Sequence, residues 1–389
     1  MLVENDTYPA DVRVRNEAEA LLAAGYRVTV IAPRDGDRQP RHEFIVGVEV
    51  VRFWLPATAQ SKSGFIGEYA VAHVQLGRLA LARLLAGADV LHVNNPPDTL
   101  ALLLPLARLL KRKAVFDNHD LFPELFQLRY RNRPLTALLR VFQRLAFSQA
   151  DLVLTTNESQ REIALRMVAR DPRSVVVVRN GPRRVTLRSA SRAPDSGREA
   201  QSGVDLLFLG ALEPQDGVVS LAEALRTLVD RHKLDARLTV VGAGSCRSSL
   251  EARCCELGVR DRVVFAGRVP HADVPLLLEQ ADICVDPAPC NELNHSSTMM
   301  KIAEYMAAHK PIVAFDLRET KRTAAGAALY AACGDVDGFA ARIAEIATSQ
   351  AVRRELVQNG EQRLPGLVWE RSAEALISAY ARLAPPRDV

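Results

Sequence analysis

Residues 291–320 read NELNHSSTMMKIAEYMAAHKPIVAFDLRET. A short apolar run, Ile283-Cys-Val285, ends just before a polar loop. Apolar residues then recur at helical spacing, which predicts a helix over 298–308, and a β-branched run, Ile312-Val-Ala-Phe315, follows. Strand, helix and strand in so few residues make a βαβ unit, whose two strands pair in parallel. Ser296-Ser297-Thr298 offer caps for the helix start. A helix start, with free N–H groups and a positive dipole end, suits a phosphate. Lys301 and Glu304 are three apart and share a face of that helix. The pair has two readings: a cation and a carboxylate that hold a pyrophosphate and a ribose diol, or an ordinary surface ion pair.

The same alternation extends outward in two sets. In the C-terminal half, strands are predicted at 206–209, 238–241 and 263–265, with helices at 218–230, 247–257 and 336–348. The N-terminal half has β-branched runs at 27–31, 48–51, 90–93, 114–117, 152–155 and 175–178, with helical patterns such as 13–24 and 99–110 between them. Between the sets, residues 185–203 (VTLRSASRAPDSGREAQSG) are polar and without apolar periodicity, and read as a linker. The expected architecture is α/β: two Rossmann-like, doubly wound parallel-sheet domains facing a cleft. The expected boundaries are a domain over 1–184, the linker over 185–203 and a domain over 204–370. Gly242-Ala-Gly244, after a strand, reads as a tight turn.

Composition narrows the classes. The 389 residues are 48% hydrophobic and 25% charged, a globular balance that excludes disorder, collagen and coiled coil. Lys+Arg 50 against Asp+Glu 46 leaves +4, too slight an excess for general nucleic-acid binding. No run reaches the roughly 18 apolar residues of a spanning helix. Glu4 and Asp6 stand where a signal peptide needs basic residues, so a cytoplasmic chain is expected. Cys246, Cys254, Cys255, Cys284, Cys290 and Cys333 all lie in the C-terminal half with no Cys-x-x-Cys pair. They are expected as reduced, mostly buried thiols, with no metal site. The absence of Walker, His-Glu-x-x-His and Gly-x-Ser-x-Gly motifs removes phosphoryl-transfer, zinc-protease and serine-hydrolase readings.

Glu304-Tyr-Met-Ala307, Lys310-Pro311 and the strand to Phe315 resemble the signature of retaining GT-B glycosyltransferases of family four. That signature is Glu-x7-Glu followed by an Ala-x-Gly-Lys-Pro-like turn and a strand, and the resemblance extends along nearly the whole chain. It places Glu304 on the second Glu, which contacts the nucleotide ribose, and Ser296 where the first Glu stands. Gly210 and Pro214-Gln-Asp-Gly217 occupy the family's phosphate-side loop but lack its Arg and Lys. Lys301 and Arg268 therefore become the candidates to neutralise the pyrophosphate. Phe265-Ala-Gly-Arg268-Val269-Pro270 resembles the loop whose backbone frames the base, and Arg268 reads equally as a solvated loop Arg. The implied donor-binding set is Gly210, Arg268, Val269, Ser296, Ser297, Thr298, Lys301 and Glu304.

In the N-terminal half, Asp117-Asn-His119-Asp120 follows a strand directly. Polar residues at a sheet's carboxyl edge face the cleft, and a His between two acids there is a catalytic candidate. In the family a His at this place reaches the donor sugar, so His119, Lys301 and Glu304 form the candidate catalytic set. Asn94-Asn-Pro-Pro-Asp98 resembles the family's Asn-Pro-Pro-Asp turn and reads as a cap, through Asp98, for the next helix. Asn180-Gly-Pro182 resembles the turn into the linker, and Trp369 precedes a helix over 371–383 that in the family crosses back, with 371–389, to the N-terminal domain.

The resemblance implies a glycosyltransferase that moves a sugar from a nucleotide-sugar donor, a UDP-sugar first, to a hydroxyl of a sugar or lipid-linked acceptor. Retention, no bound metal or other cofactor, and a place in cell-envelope polysaccharide or glycoconjugate synthesis come with it. A soluble specialised metabolite as acceptor, a nucleotide-sugar epimerase or phosphorylase, and a catalytically silent binding subunit stand as alternatives. Ser296 and the missing Arg/Lys pair motivate the last. Residues 135–147 form a basic amphipathic stretch with Arg140 and Arg144. It reads either as a peripheral contact with the inner membrane face or as an ordinary domain helix with solvated Arg side chains.

Overall fold

In the computed structural model, residues 1–36, 39–55, 62–183 and 203–386 are described, and nearly all of the expected linker lies outside them. The chain divides into a unit of Met1–Asn180 with Arg371–Val389, and a unit of Gly181–Glu370.

The first unit's strands are β1 (Thr29–Pro33), β2 (His42–Ile45), β3 (Val48–Phe53), β4 (Val90–Asn94), β5 (Lys113–Asn118), β6 (Leu152–Thr155) and β7 (Val175–Val177). β1 pairs with β3, and β4 to β7 pair in sequence order, all in parallel. Leu2 joins the two groups by bridging in parallel to Ile31 and to Val93. Its N–H donates to His92 O at 2.8 Å and its carbonyl accepts from Asn94 N at 3.1 Å, so one residue stands in for a central strand. β2 departs from the expected parallel pairing, because it runs antiparallel to β3. The turn between them places Val46 and Gly47 at φ 50 and 85, the geometry of a primed hairpin turn. A valine in that position gives no turn signal, which is why the hairpin is invisible in the sequence. The Trp369–Leu383 helix joins this unit from Arg371 on. Tyr380 stacks edge-on against Tyr26 with centroids 5.7 Å apart, and Ser372 Oγ accepts from Arg179 N at 2.9 Å.

The second unit holds β8 (Val204–Leu209), β9 (Ala236–Val241), β10 (Val263–Gly267), β11 (Ile283–Asp286), β12 (Ile312–Phe315) and β13 (Ala328–Ala331). The order is β10-β9-β8-β11-β12-β13, and every pair is parallel. β11 and β12 are buried at every residue, as strands covered by helices on both faces must be. β13 was not expected, since Ala-Leu-Tyr-Ala has no β-branched residue. Strand order reverses between β8 and β11, and a doubly wound sheet binds ligands beside the carboxyl ends at such a point.

Candidate functional site

At that reversal the backbone is crowded before any side chain is considered. A Cβ on Gly242 (φ +136) would run into the carbonyl oxygen of Gly210, and one on Gly244 into the backbone of Leu212. Gly242-Ala-Gly244 is therefore close backbone packing, with Gly242 N donating to Gly267 O at 2.8 Å. Gly217 (φ +66) lies against Pro287 O, which brings the loop after β8 onto the loop after β11. Asn294 ties the same two loops, its Nδ2 donating to Gln215 O at 2.8 Å and Pro289 O at 2.7 Å.

Lys301 sits in this corner. Its stem packs on Gly210, where an added Cβ would be 3.2 Å from Cε and Nζ, and Nζ lies 4.3 Å above the Phe208 ring. Nζ donates to Asp286 Oδ1 at 3.2 Å and Asp216 Oδ1 at 3.4 Å. Both contacts exceed the roughly 2.7–2.9 Å of a tight ammonium–carboxylate bond, so Lys301 is held loosely enough to exchange partners. Burial raises the Asp216 carboxyl, with Lys301 opposing, while Asp286 Oδ2 is buried without a hydrogen-bond partner. Sequence reasoning placed Asp216 in the phosphate-side loop without giving it a role, and missed Asp286, whose signal was an Asp ending β11.

The expected caps act elsewhere. The Lys301 helix runs Met300–Ala307, its N-cap is Met299, and no side chain caps it. Ser297 Oγ instead donates to Leu293 O at 2.7 Å, closing the short Glu292–His295 helix that Asn291 caps. Ser296 is buried and Thr298 half-buried on the connecting turn. Glu304 is half-buried one turn beyond Lys301. Its neighbour Tyr305 fixes the helix to β8, accepting from Leu209 N at 2.9 Å. Arg268 is exposed after β10, two strands from β8, and half-buried Val269 packs on the apolar cluster that holds Leu209 and Ile302.

The cysteines correct an expectation. Cys290 and Cys333 are disulfide-bonded, with Cα atoms 5.6 Å apart and a sequence separation of 43. The loops after β11 and β13 meet only in the fold, and His295 lies in the same cluster. Cys254 and Cys284 are buried thiols.

In the first unit, His119 Nε2 is 2.8 Å from Asp117 Oδ2 and 3.1 Å from Asn94 Oδ1. Both partners are acceptors, so Nε2 carries the proton and Nδ1 is the nitrogen left to meet a ligand. Burial opposes the Asp117 charge, but Arg13 and then His119 outweigh it and hold the carboxyl well below the usual range. The turn before it also differs from expectation. Asp98 caps nothing: Pro97 is the cap of the Asp98–Leu103 helix, without a side-chain bond. Asp98 is buried and accepts instead from Asn95 Nδ2 at 2.7 Å, while Asn95 Oδ1 braces the His119 turn by accepting from His119 N at 2.6 Å. Burial, with Glu124 and Asp120 nearby, pushes the Asp98 carboxyl up to about 7.

The basic amphipathic stretch is the Arg133–Gln149 helix, which buries Thr136, Leu139, Gln143, Ala146 and Phe147. It leaves Leu135, Leu138 and Val141 exposed at 39%, 49% and 57%. Arg140 reaches Glu124 at 3.2 Å. No helix among the described residues is long and apolar enough to cross a membrane.

Two doubly wound units, one with a Lys–Glu helix at its topological reversal and the other with a braced His turn, define a GT-B architecture. Residues 10–181 match the family described as "Glycosyl transferase 4-like domain" and residues 203–349 that described as "Glycosyl transferases group 1". The chain belongs to the GT-B glycosyltransferases of family four. The fold is similar to that of Anabaena Alr3699/HepE in complex with UDP-glucose, at TM-score 0.72 and 16% identity over 98% of each chain. Sucrose-phosphate synthase from Thermosynechococcus elongatus is similar at TM-score 0.70 and 19% identity, over 98% of this chain and 95% of that one. By sequence, 108 residues are 35% identical to an uncharacterized glycosyltransferase of Methanocaldococcus jannaschii, covering 28% of this chain and 26% of that one. A further 119 are 29% identical to the 2-deoxystreptamine glucosyltransferase of Streptomyces kanamyceticus, covering 31% of this chain and 29% of that one. The chain thus spans under a third of the length of these relatives.

Proposed function

We propose that the protein transfers a sugar from a UDP-sugar to an acceptor hydroxyl, with retention and without a metal, in the synthesis of envelope glycans at the inner face of a membrane. The observation that supports donor binding is Lys301 packed on Gly210 at the strand-order reversal, with Glu304 one turn along the same helix. Glu304 accepts hydrogen bonds from the ribose hydroxyls. Lys301 exchanges one of its carboxylates for a donor phosphate and stabilises the charge that grows there as the glycosidic bond breaks. His119 offers Nδ1 to the transferring sugar. The Anabaena protein's complexes with UDP and with UDP-glucose favour a uridine donor. The exposed Leu135, Leu138 and Val141 beside Arg140 and Arg144 favour an acceptor held at an anionic bilayer. A second reading, a soluble aminated acceptor, draws on the 2-deoxystreptamine glucosyltransferase of Streptomyces kanamyceticus.

Calorimetric titration with UDP tests the donor site. Glu304→Gln keeps the helix and removes a charged acceptor worth roughly 1.5–3 kcal/mol, so affinity should drop about tenfold or more. An unchanged Kd would sink the assignment. Release of UDP from UDP-glucose only when an acceptor is present would discriminate against an epimerase or phosphorylase, and UDP binding without any turnover would point to a silent subunit.

A further inference from the structure

We propose that Asp117 positions His119 for the transfer reaction, and that Arg13, Glu17, His92 and Tyr380 of the C-terminal helix hold Asp117 to that task. The inference rests on His119 being a group that touches substrate.

Both oxygens of Asp117 are pinned. Oδ2 accepts from Arg13 Nε at 2.8 Å and from His119 Nε2 at 2.8 Å, and Oδ1 accepts from Arg13 Nη2 at 2.5 Å. Arg13 is itself fixed, because Nη1 donates to Val178 O at 2.6 Å and Asn180 Oδ1 at 3.1 Å. A carboxylate so held cannot rotate, and its remaining direction is the one His119 uses. The side chains of Arg13, Glu17, His92 and Asp117 are 0–3% exposed, whereas His119 is 12% exposed. The buried charges therefore end on one ring that reaches the surface of the unit. A pair that only stabilised the core would have no need of that outlet.

The rest of the cluster determines where the negative charge stays. Glu17 Oε1 is 3.1 Å from Arg13 Nη2, yet neither Glu17 oxygen has a hydrogen bond of good geometry. One guanidinium cannot balance two buried carboxylates. Burial first, then the Asp117 charge, raise Glu17 well above its usual range, so Glu17 keeps its proton and Asp117 the charge. His92 Nε2 stands 3.7 Å from Glu17 Oε2 and 3.8 Å from Asp117 Oδ2 without bonding either, and its Nδ1 meets the Tyr380 hydroxyl at 2.6 Å. Burial lowers His92, so that ring is neutral. Asp11, Asp120, Asn94, Asn180, Tyr26 and the Met1 amino group also face the cluster. His119 thus meets a single fixed anion at Nε2, which leaves Nδ1 as its unprotonated nitrogen.

The test is ¹⁵N NMR of the full chain labelled at histidine, with His119→Gln identifying the His119 signals among the 8 histidines. The neutral His119 ring is expected in the Nε2-protonated tautomer in about tenfold excess or more, as a fixed carboxylate partner enforces. An Nδ1-protonated ring or an even mixture overturns the proposal. In Asp117→Asn that preference should collapse, and UDP release from UDP-glucose should fall about tenfold or more while UDP affinity stays within about twofold. In a His119→Ala background, Asp117→Asn should cost less than about twofold, since a residue that acts through another has nothing left to act on. Equal losses in both backgrounds overturn the proposal. If His119→Ala alone leaves UDP release unchanged, it is the substrate contact of His119 that fails, and the tautomer result still decides the role of Asp117. The wild-type tautomer also decides it should Asp117→Asn not fold.

Discussion

In the N-terminal unit the groups that carry chemistry are side chains locked on one another, Asp117 between Arg13 and His119, with Asn95 bracing the turn. In the C-terminal unit the corresponding edge is built from backbone. Gly217, Gly242 and Gly244 let loops approach where a Cβ could not, and Lys301, packed on Gly210, rests loosely between two acids. A pinned network suits a group that must keep one orientation. Glycine loops and an exchangeable cation suit a site that must admit a charged ligand. The difference shows that a braced side chain and an open backbone are two ways to prepare an edge, chosen by what has to move.

Four measurements sharpen or break that contrast. The largest effect is expected from Gly242→Ala, whose Cβ would meet Gly210 O at a backbone angle alanine rarely adopts. It should cost on the order of 3 kcal/mol in urea unfolding and abolish UDP binding. A loss within about 0.5 kcal/mol would show that the crowded backbone is not essential.

The next concerns the loop carrying Cys290. Reductant should lower stability by roughly 2–4 kcal/mol through the released Cys290–Cys333 bond, and Cys333→Ser should make the protein indifferent to reductant. Six titratable thiols before any reduction would instead restore the sequence expectation.

The third is a pH dependence belonging to the N-terminal unit. Asp98 is raised from 3.8 to about 7, so it binds its proton more tightly folded than unfolded. Its stabilisation is full below 3.8, shrinks as pH rises, and is gone above about 7. The slope should be up to about 1.4 kcal/mol per pH unit between those limits. Glu4, raised to about 7 by burial and Glu68, adds a second slope of the same sign. Asp98→Asn should therefore remove up to about 1.4 kcal/mol per pH unit from the measured slope. Identical slopes in variant and wild type would mean that Asp98 ionises normally.

The smallest effect is at the surface. Arg140 is 55% exposed in its pair with Glu124, so Arg140→Ala should change stability by less than about 0.5 kcal/mol. On anionic vesicles at low salt the same variant should bind about 1 kcal/mol more weakly. Equal recovery of wild type and variant in the supernatant, with anionic and neutral lipid alike, would leave the acceptor in solution.

Periodicity made most of the fold legible. The β-branched runs at Val48–Phe53, Val90–Asn94 and Ile312–Phe315 and the amphipathic Ser220–Asp230 helix stand within a residue or two of their expected bounds, because burial on one face or two writes itself into residue spacing. Glu304 and Lys301 were legible for the same reason, being neighbours on one helix. Pairings between distant segments were not. Arg13 and Asp117 are 104 residues apart, Lys301 and Asp216 85, and Cys290 and Cys333 43. Nor did any local pattern show that Leu2 alone would join two groups of strands, or that Ser297 would close one helix rather than open the next. From the sequence came most of the strands and helices, β2 and β13 excepted, and the helix faces that carry charge, since these follow from local propensity and spacing. Only the tertiary structure decided which buried charges meet and which oxygen takes which proton, because those follow from which loops the closed sheets bring together.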